Sequence, residues 1–183
     1  MWLLPANSLV GMNVSFTSFF QFAVGLVCGG AATALAQGSF QCTNALLKNA
    51  SVTDCAGTPV GGTNYLIEVR AENPQSGQMV GGLLSFDAEG THPLGTVKLF
   101  SERNPGRFSA GTVLVPFVAP GSEATLEFRA WDQRTGATYD TATRRGASVA
   151  KVLLGGAGNP PTLPNSLTRF TGIKICEIAP VTK

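Results

Sequence analysis

The sequence predicts an all-β fold, an antiparallel β-sandwich, and three observations predict it. Gly 22 and Pro 11 punctuate the chain while charged residues make up only 13%. Glycine and proline mark turns, and the Val, Thr and Phe between them suit a pleated, half-buried surface. Second, apolar and polar residues alternate with period two. Ala124, Leu126, Phe128 and Ala130 share one face, and Glu127, Arg129 and Trp131 share the other. Third, no long segment carries the helical period that would supply the crossovers of a parallel sheet.

At 183 residues the chain is one ordinary domain, long enough to bury a core without metals. A hydrophobic content of 44% and a net charge of +2 argue against disorder. The 13 basic and 11 acidic residues are interspersed. Arg144-Arg145 is the longest basic run, so there is no footprint for nucleic acid.

Residues 1–36 read as a signal peptide and residues 37–183 as a single β-sandwich domain. No Asp, Glu, Lys or Arg precedes Lys48, and the stretch from Phe16 is mostly apolar or small. It ends Ala34-Leu35-Ala36, small at the −3 and −1 positions that signal peptidase reads. Cleavage there makes Gln37 the mature N-terminus and leaves no membrane span. Met12 is an alternative start, and an uncleaved membrane anchor is the competing reading. Gly25, Gly29 and Gly30 make a poor spanning helix. Val27 stands before Cys28 where lipoprotein processing needs a small residue.

The mature chain keeps Cys42, Cys55 and Cys176. Export favours oxidation, and an odd number leaves one thiol over. Cys42–Cys55 is the favoured pair. It closes a short loop worth on the order of 3 kcal/mol in the loop-entropy model. Cys42–Cys176, joining the first strand to the last, is the alternative. There is no CxxC and His92 is the lone histidine, so a zinc site is not expected. No metal ligand is assigned and no cofactor is expected.

Strands follow in order. One is weak, near residues 38–47. Gly61-Gly62 turns into the alternation of Tyr65, Ile67, Val69 and Ala71, which Asn73-Pro74 ends. A strand is expected from Met79 to Phe86, a turn from Asp87 to Pro93, and strands at residues 95–101 and 107–118, with Asn104-Pro105-Gly106 between them. The clearest strand is 123–132. Residues 138–145 read as one helical turn stopped by Gly146. Strands at 148–154 and 168–176 flank a Pro-rich connector. That makes about eight or nine short strands, the count of a sandwich.

Several short elements recur together. They are Ser109-Ala110-Gly111-Thr112, Val118-Ala119-Pro120-Gly121, Phe128-Arg129-Ala130-Trp131-Asp132, Gly136-Ala137-Thr138-Tyr139 and Leu154 through Gly158-Asn159-Pro160-Pro161. With Gly57-Thr58-Pro59 to Val69 before them and Leu167 to Ile175 after, they resemble a group of exported bacterial proteins that often end in a PEP-CTERM sorting tail. The resemblance implies an exported β domain of unknown activity and brings no catalytic residues. The end from Glu177 to Lys183 has no Pro-Glu-Pro motif, apolar span or basic tail.

Candidate chemistry is sparse. His92 sits in a polar turn with no nucleophile and acid placed beside it, as a triad would need. Asp132 with Asp140, and Asp87 with Glu89, read first as turn caps. Calcium ligation and paired-carboxylate catalysis are the alternatives. Trp131 points away from the Leu126 and Phe128 face and reads as packed under the next turn. Trp131 and Tyr139 are also the binding candidates, as sugar-stacking aromatics. Asn49-Ala50-Ser51 is a glycosylation sequon without meaning in bacterial export. The expectation is a non-enzymatic, secreted or cell-surface β-sandwich with a structural or adhesive role, facing a cell-surface or matrix polysaccharide. A carbohydrate-binding module is the alternative, and an enzyme the third reading.

Overall fold

The computed structural model describes residues 37–87, 90–99, 103–156 and 162–178. The expected signal segment and its cleavage site fall outside the described residues, as does Glu89. Thirteen strands are described: β1 (Gly38–Thr43), β2 (Val52–Asp54), β3 (Tyr65–Asn73), β4 (Gln78–Val80), β5 (Leu84–Asp87), β6 (Gly90–Pro93), β7 (Val97–Lys98), β8 (Ser109–Val115), β9 (Glu123–Asp132), β10 (Arg144–Leu153), β11 (Gly155–Gly156), β12 (Asn165–Ser166) and β13 (Ile173–Glu177). Among the described residues there is no helix.

The strands form two sheets. One runs β11-β1-β8-β5-β6, with β12 also against β1; the other runs β2-β13-β10-β9-β3-β4, with β7 also against β3. Pairing is antiparallel except for two short ladders, β1 with β12 and β2 with β13. The all-β sandwich read from composition and alternation is therefore the fold.

β9 is the spine of the second sheet. It pairs along almost its whole length with β10 on one side and β3 on the other. Its inward residues Ala124, Leu126, Phe128 and Ala130 are buried, as the alternation requires. Ile67, Val69, Val152 and Ile175 join them from β3, β10 and β13. Phe40, Val113 and Val115 close the core from the first sheet, with Leu83 just before β5. An aromatic cluster sits at its centre. Phe128 and Phe170 have ring centroids 4.9 Å apart, and Phe108 packs edge-on to Phe170 at 5.7 Å. Tilted and edge-to-face pairs of this kind add to simple area burial.

Four expectations need correction. The segment from Met79 to Phe86 is not one strand. β4 pairs with β3 and β5 pairs with β8, so the chain changes sheets at Gly81–Leu83. Gly82 supplies the bend with φ 66°. The turn expected from Asp87 to Pro93 contains β6, which pairs with β5. The helical turn near 138–145 is reduced to one bond, from Ala142 N to Thr138 O at 2.9 Å, and the chain enters β10 at Arg144. Gly146 stops nothing. It lies inside β10, where a Cβ would strike the backbone carbonyl of Lys174 on β13.

The fourth correction is the disulfide. Cys55 is bonded to Cys176, with Cα atoms 5.1 Å apart, and Cys42 is a free thiol. Alternation explains it. Cys42 lies on the inward face of β1 with Phe40, fully buried in the opposite sheet. Cys55 directly follows β2, whose Asp54 is in register with Ile175, so Cys176 is its neighbour across the ladder. Burial also pushes the Cys42 thiol far above its ordinary pKa, which leaves it inert.

Candidate functional site

The sequence-singled aromatics meet on the outer face of the second sheet. β9 directs Glu127, Arg129 and Trp131 outward, and the β9–β10 connection folds back over them. Asp132 anchors that connection. Its carboxylate accepts bonds from Arg134 N at 3.1 Å, Arg134 Nε at 2.8 Å, Arg134 Nη2 at 2.6 Å and Arg144 Nη1 at 3.4 Å. The backbone bond makes the turn cap expected of this aspartate. Asp132 is 1% exposed. The hydrogen bonds from the Arg134 side chain hold its carboxyl below the usual aspartate range, against the opposing cost of burial. Thr135 and Thr138 with Thr141 tie the rest of the connection locally. Gly136 lies so close to Ala142 that a Cβ has no room.

Under this cover Trp131 is 2% exposed, packed with Leu66, Ala142 and Tyr139. The Trp131 and Tyr139 rings meet edge-on at 6.3 Å. Two guanidinium groups stand over the Tyr139 ring, Arg129 at 4.9 Å and Arg145 at 5.1 Å. Arg145 also donates to the Tyr139 carbonyl at 2.7 Å. A ladder of charges continues across the sheet. Arg70 lies 3.8 Å from Glu127, Arg129 lies 2.8 Å from Glu127, and Arg129 and Arg145 each lie 3.9 Å from Asp140.

This arrangement holds a lid on a sheet. Trp131 is packed, as its position after Ala130 and before Gly136 implied. A sugar platform needs a solvated ring face, and Trp131 presents none, while Tyr139 is occupied by arginine. Asp132 and Asp140 have different partners. Asp132 is clamped by two arginines, and Asp140 is the exposed end of the charge ladder. The Trp131 Nε1 is buried with no hydrogen-bond partner among the described residues.

The other candidates lie apart. β6 carries His92, opposite Ser85 of β5, and Asp87 pairs with Gly90. The Ser85 hydroxyl is committed to the Ala110 carbonyl at 3.1 Å, and it is buried. Among the described residues no three His, Cys, Asp or Glu side chains converge to hold a metal ion. Asn49 is exposed and Ser51 half-buried at a groove along the β2–β13 edge, which Thr53, Pro59, Thr171 and Lys174 also line. A second groove, of about 400 Å³, opens beside the disulfide.

No family model matches the chain, and neither a curated protein nor a solved structure matches it.

Proposed function

We propose that the chain is an exported, non-enzymatic β-sandwich with a structural or adhesive role in the periplasm or at the cell surface. The Cys55–Cys176 disulfide carries this reading. Cytosolic thiol buffers keep such pairs reduced, and exported domains keep them oxidised. The apolar N-terminal segment ending Ala34-Leu35-Ala36 and the resemblance to exported bacterial proteins point the same way. The perturbed carboxylate, Asp132, is spent on holding a loop rather than on chemistry. The aromatics first considered for sugar stacking are likewise spent on packing, which favours a structural or protein-like adhesive surface over stacking on a polysaccharide.

The test is export itself. The full chain, expressed in a secreting bacterium, is fractionated, weighed intact and titrated for thiols. Recovery outside the cytoplasm, beginning at Gln37, with one free thiol before reduction and three after, is the expected result. Cytosolic protein that retains residues 1–36 and has every cysteine reduced would sink the reading. Glycan-array binding of the purified protein then separates adhesion to polysaccharide from a purely structural role.

A further inference from the structure

We infer that Cys55–Cys176 is a redox-sensitive clip, opened by a dithiol reductant while the domain stays folded. The inference draws on the export reading only for the compartment in which such a reductant would act.

Three observations carry it. First, the bond is accessible. Cys55 is exposed and Cys176 half-buried. The groove beside them is lined by Asp54, Ala56, Arg144, Ile175 and Glu177, which gives an incoming thiol a place to approach. Access to sulfur is what thiol–disulfide exchange requires first. Second, the bond joins an edge strand to its neighbour. β2 lies at the end of its sheet, and its only strand partner among the described residues is β13. Opening the clip does not cut through the core. Third, β2 has other attachments. Three residues pair with β13, Val52 is buried, and the Val52 N–H donates to Gly106 O at 2.9 Å. The sandwich therefore has means to survive the loss of the bond, while the turn from Cys55 to Gly57 loses its covalent tether.

The exchange balances. One thiolate of the dithiol attacks Sγ of Cys55, the more exposed residue of the pair. The sulfur–sulfur bond breaks, and Cys176 leaves as a thiolate and takes up a proton. The second thiol of the reductant attacks the mixed disulfide and releases the Cys55 thiol. The dithiol becomes a disulfide, and its two electrons reduce the protein's bond. Charges near the leaving sulfur are mixed, with Arg144 against Asp54 and Glu177, so access rather than an activated thiolate sets the reactivity.

Cys42 is the internal control, because its sulfur is reached only when the domain opens. The purified protein is incubated under native conditions with dithiothreitol, alone and with a thioredoxin-type oxidoreductase. It is then alkylated and mapped by mass spectrometry. The expected result is alkylation of Cys55 and Cys176 with Cys42 untouched, unchanged near-ultraviolet circular dichroism, and a Tm lower by roughly 10–20 °C. Protease cleavage should appear first at the turn after β2. Simultaneous alkylation of Cys42, or a bond that resists until denaturant is added, overturns the inference. These outcomes are read on the isolated protein, so a failure of export in cells leaves them unaffected.

Discussion

Asn44 and Phe108 are bound to each other twice: the Phe108 N–H donates to Asn44 Oδ1 at 2.7 Å, and the Asn44 N–H donates to the Phe108 carbonyl at 3.3 Å. The side-chain nitrogen of Asn44, Nδ2, donates to Ala50 O at 2.6 Å and Gly106 O at 2.9 Å. A fully buried side chain thus satisfies three backbone groups and fixes where the chain leaves β1, enters β2 and enters β8.

Replacing Asn44 by Ala strands the Phe108 N–H and the Ala50 carbonyl in the core, while Gly106 O keeps its bond from the Val52 N–H. Each unsatisfied buried group costs about 1–3 kcal/mol. Asn44→Ala should therefore lower stability by at least about 2 kcal/mol, read as a shifted urea midpoint at constant slope. Asn44→Asp should be no better, because a carboxylate has no N–H to give Ala50 and Gly106. A midpoint within error of the parent for either variant refutes this role.

Asp132 gives the domain an acid limb. Its folded-state carboxyl is held below the ordinary value of 3.8, chiefly by the Arg134 side chain. A depressed carboxyl pKa contributes stability that is fully present above the unfolded-state pKa. That contribution is lost as pH falls from there through the folded-state pKa. Asp132→Asn should be less stable by roughly 1–3 kcal/mol at neutral pH. It should also lose less than the parent on going from about pH 6 to pH 3. Chemical denaturation at both pH values measures this, and parallel losses would rule the arginine clamp out as the cause.

Phe128 stands at the middle of β9, against Phe108 and Phe170. Phe128→Ala removes a fully buried ring and should cost about 3–5 kcal/mol. A loss below about 1 kcal/mol would mean that the core collapses into the space or that the ring is not where the alternation puts it.

How much was legible in the sequence depends on the range of the interaction. β9 is legible to its observed ends because its pattern is local, an alternation that runs from Glu123 to Ala130. The inward faces of β3 and β8 follow for the same reason. What stayed hidden depends on neighbours remote in the chain. Gly146 looks like a helix stop beside Thr138 to Arg145, and only the close approach of Lys174 on the neighbouring strand β13 shows that a glycine is needed there for room. Cys55 and Cys176 are 121 residues apart, and pairing them needs the parallel ladder of β2 with β13, which no spacing rule supplies. Asn44 carries no local signal either, since its partners Gly106 and Phe108 arrive from beyond the first sheet crossing. Trp131 was legible only in part. Period two put it on the outer face, but the closure over it needed Asp132, Arg134 and Arg144 together.

Trp131 offers the sharpest measurement, because it becomes the single tryptophan once residues 1–36, which include Trp2, are removed. Buried under the Thr135–Thr143 connection, its fluorescence should resist acrylamide in the folded mature protein and yield to it in urea. Trp131→Ala should cost about 3–5 kcal/mol, as for other buried large aromatics. Trp131→Phe separates packing from hydrogen bonding. The indole N–H is buried without a partner among the described residues, so phenylalanine removes an unpaired polar group and keeps most of the contact with Leu66 and Tyr139. That variant should stay within about 1.5 kcal/mol of the parent, the range of a tolerated apolar swap. A loss from Trp131→Phe as large as that from Trp131→Ala would show that the N–H is bonded in solution, to a water or a ligand. Strong quenching in the folded state would instead show that the connection opens and that the ring is presented to solvent.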